Sequence, residues 1–320
     1  MQKIELKTGP WFLKDLDAIP KTRGKVFSCF HCGGGSTMGY KLAGFDVLGG
    51  VEIDPEMMAI YRANHKPKHS YLMGVQQFKK IPDSELPAEL FDLDILDGSP
   101  PCSSFSMAGS REKKWGKASK FREGQSVQRL DDLFFDFIDI AKKLQPKIVI
   151  AENVKGLIQG NARGYVKQIF QAFREAGYSC QLFLLNAANM GVPQRRERTF
   201  FIANRLGKKI NLDFREEPIP FSSIFNGKVS QARISLKRFG DVLIDMSRPI
   251  STIATINRYF VSNSQVVDST NLVACQSFPT DFNFVGHCQK YVCGMSVPPF
   301  MMQRVADQVY KQLLAGVTNV

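Results

Sequence analysis

Val26-Phe27-Ser28-Cys29-Phe30-His31-Cys32-Gly33-Gly34-Gly35-Ser36-Thr37-Met38-Gly39-Tyr40 reads as a strand, a glycine turn and the start of a helix. Val26 to Phe30 is an apolar run of strand length, and the helix after the glycines stops at Gly44. Val47 to Ile53 predicts a second strand, which ends in Glu52-Ile53-Asp54-Pro55, and a helix follows over Glu56 to Asn64. This order predicts a Rossmann-like α/β opening. The glycines let the backbone approach a bound group closely, and the acid after the second strand can hold ribose hydroxyls. The stretch points to a cofactor that carries a nucleoside.

Working outward, a poorly marked third strand is expected around Ser70 to Val75, and a linker over Pro82 to Pro87. Phe91 to Leu96 predicts a buried strand that delivers Asp97-Gly98-Ser99-Pro100-Pro101-Cys102-Ser103-Ser104-Phe105-Ser106. The two prolines stiffen this turn, and small neighbours leave the sulfur accessible. A thiol on a rigid turn at the end of a parallel strand is placed to be a nucleophile, although an inert thiol fits the same pattern. Residues 107–125 carry Arg111, Lys113, Lys114, Lys117, Lys120 and Arg122 with little periodicity. They read as a solvated charge run or as a basic loop that closes over a phosphate.

Leu130 to Leu144 is helical in period, and Lys147 to Ala151 is a strand that ends at Glu152-Asn153-Val154. Glu152 would share a rim with the Cys102 turn, or merely cap the next helix. A helix over 164–176 and a strand over Tyr178 to Asn186 lead to Gln194-Arg195-Arg196-Glu197-Arg198. If that segment is extended, Gln194, Arg196 and Arg198 share one face. From Asn204 onward short apolar runs are broken by Gly, Pro, Ser and Asn. The expected organisation is an N-terminal extension over 1–24, a main domain over 25–203 and 292–320, and a smaller, irregular, partly β domain over 204–291. A last helix is expected from Phe300 to Leu313, opened by Pro298 and Pro299.

The 320 residues suffice for two domains, and a net charge of +12 favours a polyanionic partner, nucleic acid above all. No apolar run is long enough to span a membrane, and residues 1–25 lack a secretory signal pattern. Seven cysteines, an odd number, are read as reduced thiols of a cytosolic protein. A zinc site from Cys29, His31, Cys32, Cys288 and Cys293 is disfavoured by loose spacing, so no metal is expected.

A cysteine, a glutamate and an arginine at the ends of neighbouring strands suggest a specific chemistry. A thiolate can add to C6 of a pyrimidine if a proton or positive charge meets the electron density that moves toward N3 and O2. C5 then becomes nucleophilic toward an activated methyl group. Here the sequence resembles the DNA (cytosine-5) methyltransferases over about residues 26–313. The resemblance rests on Pro101-Cys102-Ser103-Ser104-Phe105-Ser106, Glu152-Asn153-Val154, Gln194-Arg195-Arg196-Glu197-Arg198, Ser251-Thr252-Ile253, Gln276-Ser277-Phe278-Pro279 and Gly294-Met295-Ser296-Val297-Pro298-Pro299.

The resemblance implies a Rossmann-like S-adenosylmethionine-dependent methyltransferase fold with a mostly parallel sheet and a target-recognition domain. It implies S-adenosylmethionine as cofactor, held by Phe30, His31, Cys32, Gly33, Gly34 and Gly35, with Glu52 on the ribose and Ile53 against adenine. Gly74, Val75, Pro101, Met295 and Ser296 would complete that surface. It makes Cys102 the nucleophile, Glu152 the group facing N3, Arg198 the O2 contact, Asn153 the residue that orients the turn and Arg196 a brace for the carboxylate. The implied partner is duplex DNA with the base flipped out, and a monomer is expected to act on it. Three departures fall on the cofactor side: Cys32 and Met295 replace the family's usual Gly and Asn, and Gly74 its usual acid. They predict weaker cofactor binding. Alternatives are an RNA methyltransferase acting on tRNA, a catalytically weakened DNA-binding member of the fold, and a dinucleotide-dependent oxidoreductase.

Overall fold

The structure, a computed structural model, describes residues 10–101, 132–159, 163–225, 229, 231–236, 240–254, 258–261 and 267–316. Cys102 and the basic segment 107–125 therefore lie outside the described residues. The central sheet has the strands β1 (Lys25–Cys29), β2 (Asp46–Glu52), β3 (His69–Leu72), β4 (Ile95–Gly98), β5 (Ile148–Val154), β6 (Ser179–Asn186) and β8 (Glu197–Asn204). A two-residue strand, β7 (Gln194–Arg195), precedes the last of them. The spatial order is β3-β2-β1-β4-β5-β8-β6. The first five strands are mutually parallel, and β8 runs antiparallel between β5 and β6. This is the α/β, mostly parallel arrangement that the sequence predicts.

The strands are apolar on both sides because both faces are covered. Adjacent residues go to opposite layers. Val26, Ile95, Ile148 and Phe200 join one core, whereas Phe27, Leu96, Val149 and Phe201 join the other. The first layer includes residues of α1 (Gly35–Leu42), α2 (Pro55–His65) and α8 (Pro299–Val309). The second includes residues of α4 (Leu133–Leu144) and α5 (Arg163–Glu175). Gly39 lets α1 and α8 meet, since a Cβ there would stand 2.5 Å from Met302 Cβ and 2.7 Å from the Pro299 carbonyl. Asp54 caps α2 by accepting from the amides of Glu56 and Met57, with Pro55 in the first turn.

The chain runs outward from β1 to β3 and then returns to β4 on the other side of β1. The crevice at the ends of β1 and β4 is thus the topological switch point, where open α/β sheets bind ligands. The glycine turn leaves β1 there, and the double-proline turn leaves β4. Some boundaries differ from expectation. The third strand covers His69–Leu72, and Val75 instead opens the short helix α3 (Val75–Phe78), with Gly74 as its N-cap. Phe91 ends a 3-10 turn, and the strand includes Asp97 and Gly98, which pair with Ser28 and Cys29 of β1. Glu152 lies inside β5 because β8 extends the ladder as far as Val154 opposite Arg198.

A second core gathers Phe221, Ala232, Ile234, Ile250, Ile253, Tyr259, Val267, Leu272 and Cys275. Its three-stranded antiparallel sheet is ordered β10 (Gly240–Ile244), β9 (Ala232–Leu236), β12 (Arg258–Val261). The short β11 (Ile250–Ser251) pairs with β7, which ties this unit to the main sheet. α6 (Ser269–Cys275) completes the unit, and from Phe278 onward apolar residues, including those of α7 (Gln289–Met295), return to the first core. Trp11 is buried against Phe300 and donates its indole N–H to the Ser277 carbonyl at 3.0 Å. Among the described residues no helix is long and apolar enough to cross a membrane.

Candidate active site

Glu152 and Asn153 sit on β5 at the switch-point rim, and Arg198 faces them from the start of β8. Glu152 Oε1 accepts from Arg198 Nε at 3.0 Å, with both side chains largely buried. Arg198 also donates through Nη1 to the Glu197 carbonyl at 2.8 Å. Burial lowers the Arg198 guanidinium from its usual range, and the Glu152 carboxylate opposes that shift. The two side chains therefore form a fixed, largely buried hydrogen-bonding unit.

Asn153 turns the other way. Its Nδ2 donates to the Pro100 carbonyl at 3.0 Å, and its Oδ1 accepts from the Val154 amide at 2.8 Å. The double-proline turn is thereby pinned to β5 immediately before Cys102. The structure brings Glu152, Asn153, Arg198 and the Pro100-Pro101 turn to one rim. The position of Cys102 itself lies outside the described residues.

Arg196 departs from its expected role. It is 2% exposed, and its Nη2 donates to the carbonyls of Gly294 at 2.9 Å and Ser296 at 3.1 Å rather than to a carboxylate. Burial, reinforced by Arg198, pushes its guanidinium well below the usual value. Gln194 lies on the same inward face, as the alternation predicts. It donates to Gln276 Oε1 at 2.6 Å and accepts from the Ile253 amide at 3.1 Å. Gln276 in turn donates to the Ser296 carbonyl at 2.8 Å. The segment thus supplies one residue to the rim and two to a buried polar hub that joins β7, the second core and the closing segment.

On the cofactor side the glycine turn is tightly determined. Gly34 has φ +91°, and a Cβ there would stand 2.2 Å from His65 Nε2. Phe30 and Cys32 also hold positive φ, 56° and 50°, a conformation that side chains disfavour. Cys32 Sγ turns away from the turn, 3.4 Å from Met57 Sδ and 4.0 Å from Ser296 Oγ. The extra Cβ is accommodated by a strained backbone and an inward rotamer. Burial raises that thiol to about 12.

Glu52 accepts three backbone amides, from Cys32 at 3.0 Å, Ile53 at 2.8 Å and Asp54 at 3.0 Å. It therefore holds the glycine turn to the end of β2. His31 packs inward, stacked on Tyr61 with ring centres 3.7 Å apart, and burial lowers it to about 4. Ile53 and Gly74 lie side by side, since a Cβ on Gly74 would stand 3.5 Å from Ile53 Cδ1 and meets nothing else within 4 Å. Val75 is buried, Pro101 half-buried, Ser296 buried and Met295 38% exposed. Among the described residues no cluster of His, Cys, Asp or Glu could hold a metal ion.

The sequence reading assigns no role to Asp97 or to the Gln276 side chain. Asp97 is 1% exposed at the end of β4 and accepts from Ser28, Ser36 and Tyr40. An acid within an apolar strand was the available signal.

A family model described as C-5 cytosine-specific DNA methylase matches residues 24–271. The chain belongs to the C-5 cytosine-specific DNA methylase family. Among relatives of this chain, Type II methyltransferase M.FnuDI of Fusobacterium nucleatum is 36% identical over 198 residues, 62% of this chain and 51% of that protein. Type II methyltransferase M1.HphI of Haemophilus parahaemolyticus is 29% identical over 88% of this chain and 85% of its own length. In the first two relatives the match spans about half of the protein. Among solved structures, one described as a DNA modification methyltransferase encoded within an E. coli prophage superposes with a TM-score of 0.66. It shares 18% identity, and the match covers 90% of this chain and 99% of that one. Spodoptera frugiperda DNMT2 gives a TM-score of 0.60 at 15% identity, over 89% and 99%. These structural likenesses speak for the fold.

Proposed function

We propose that the chain methylates C5 of a cytosine flipped out of duplex DNA, with S-adenosylmethionine as methyl donor. The observation that carries this reading is the buried Glu152–Arg198 pair beside a double-proline turn that Asn153 holds in place. A rim with a fixed acid and a fixed guanidinium, beside a double-proline turn that Cys102 follows in the sequence, suits addition to a pyrimidine. The Cys102 thiolate would add to C6. Glu152 would meet N3, and Arg198 would hold O2, so that the electrons displaced from the ring find a proton and a positive charge. C5 would then bond to the methyl carbon as the methyl–sulfonium bond breaks and leaves a neutral thioether. Loss of the C5 proton to water would expel the Cys102 thiolate and restore the ring, with the N3 proton returning to Glu152.

The residues present fit the cofactor. The His65 ring packs against Gly34 and holds the turn over Phe30 to Gly35 close, and Ile53, packed beside Gly74, would offer an apolar wall to a flat ring. Glu52, with three amides on two oxygens, keeps acceptor capacity for a hydroxyl. Val75, Pro101, Met295 and Ser296 would border the remainder. When bound, S-adenosylmethionine supplies an electrophilic methyl group. Residues 204–291 would read the target sequence, and one copy of the chain would act on each site.

The test is transfer of labelled methyl to random duplex DNA, located by bisulfite sequencing. We expect C5 methylation at one sequence and none with Cys102→Ser, because a hydroxyl is a much poorer nucleophile. Duplexes carrying 5-fluorocytosine should give the parent a denaturation-resistant adduct. Turnover by Cys102→Ser within about tenfold of the parent would overturn the assignment, since loss of a nucleophile leaves far less than that.

A further inference from the structure

We infer that Asp97 is a positioning residue that locks the first turn of α1, and with it the glycine turn, to the strand that leads into the Cys102 turn. The inference rests on the methyl-transfer reading for its functional meaning. Its physical basis is independent of that reading.

Asp97 stands opposite Ser28 in the β1–β4 ladder and is buried. Its Oδ2 accepts from Ser28 Oγ at 2.7 Å and from Ser36 Oγ at 2.9 Å, and its Oδ1 accepts from Tyr40 Oη at 3.1 Å. Ser36 and Tyr40 lie four residues apart on α1 and so present one face to the carboxylate. Ser36 directly follows Gly35, where a Cβ would stand 2.3 Å from the Val297 carbonyl. The first turn of α1 is thus held between Asp97 and the closing segment.

Among the described residues no cation pairs with Asp97. A buried carboxylate without one is expensive, and a neutral side chain would fill the strand more cheaply. What the carboxylate adds is direction. It accepts from three hydroxyls at once and fixes β1 and α1 relative to β4. Three residues later the chain is pinned again, where Asn153 takes the Pro100 carbonyl. The cofactor helix and the nucleophile turn are therefore registered through one side chain.

The test compares Asp97→Asn, Ser36→Ala, Ser28→Ala and the double variant Asp97→Asn/Ser36→Ala in the full chain at fixed pH. S-adenosylmethionine affinity is measured by calorimetry, kcat and KM on duplex DNA, and amide exchange of residues 36–38 in the ligand-free protein. We expect Asp97→Asn to weaken cofactor affinity about tenfold and to raise KM for the cofactor more than it lowers kcat. Exchange in the first turn of α1 should speed up. The double variant should be no worse than Asp97→Asn, because both remove one link. Ser28→Ala removes the donor from β1 alone and should lower stability while leaving affinity within about twofold.

Equal effects of Asp97→Asn and Ser28→Ala on stability, with unchanged affinity and exchange, would overturn the inference. So would additive losses in the double variant. If Asp97→Asn does not fold, Ser36→Ala with Tyr40→Phe reports the same link from the other side. If the parent binds no S-adenosylmethionine, the methyl-transfer reading fails, and the exchange measurement still decides the role of Asp97.

Discussion

At the scale of single residues, the rim separates charge from position. Glu152 and Arg198 touch each other, whereas Asn153 acts on the turn through the Pro100 carbonyl. Glu152→Gln keeps a hydrogen-bonding group of the same size but cannot deliver a proton. It should lower kcat by about 10²–10⁴-fold, in line with general acid–base steps, and leave S-adenosylmethionine affinity near that of the parent. Single-turnover kinetics beside calorimetry check this. A parallel loss of cofactor affinity would place Glu152 on a different part of the site.

Asp97 supplies a prediction in pH. Burial raises its carboxyl from 3.8 to about 6, against the opposing pull of the three hydroxyls. A raised folded value means that the protonated form is favoured by folding. Its contribution to stability is therefore fullest below pH 4 and is lost as pH rises through about 6. Relative to Asp97→Asn, the parent should lose about 3 kcal/mol of stability across that window and then run parallel to it. Urea titrations of both proteins at several pH values would show the change, and a constant difference would contradict it.

At the scale of elements, the glycine turn is the most constrained piece of the chain. Gly34 combines φ +91° with a Cβ position 2.2 Å from the His65 ring. Gly177 has φ +88° but would meet nothing within 4 Å. Both Gly→Ala changes incur the left-handed penalty of about 1–2 kcal/mol, and only the first also collides with a neighbour. Gly34→Ala should therefore lower the denaturation midpoint clearly more than Gly177→Ala and weaken cofactor binding as well. Equal shifts would mean that the His65 ring moves aside at little expense. The segment Gln194 to Arg198 teaches a related point. Alternation placed three side chains on one face, but that face meets two environments. Arg198 reaches the rim, while Arg196 and Gln194 join the hub that ties the closing segment to the second core.

At the scale of the whole molecule, the proposed function would draw on the net charge of +12 and the second unit for DNA binding. Phosphate contacts release counterions, so affinity for duplex DNA should fall linearly in a plot of log affinity against log salt, with a steep slope. Fluorescence anisotropy across salt concentrations tests this, and a flat response would argue against a phosphate-tracking surface. Sequence choice should reside in residues 204–291. Exchange of that segment with a related enzyme should change which sequence is methylated and leave the rim chemistry intact. A chimera that keeps the original target would place recognition elsewhere.

The sequence by itself determined the strand–glycine turn–helix opening and the α/β class, and it put Glu152 at a strand end and Arg198 on one face with Arg196 and Gln194. Those features are local. Apolar periodicity, glycine punctuation and strand ends are written in adjacent residues, whereas the switch point needed the spatial order of the strands. The extents of β3, β4 and β5 were settled only by their partners, because a strand ends where its ladder ends: Gly98 pairs with Cys29, and Val154 with Arg198. Tertiary structure also decided which atoms Arg196 meets, how Cys32 fits a glycine's place and that Asp97 collects three hydroxyls. Each of these depends on side chains brought together from distant segments, and no spacing along the chain encodes that meeting.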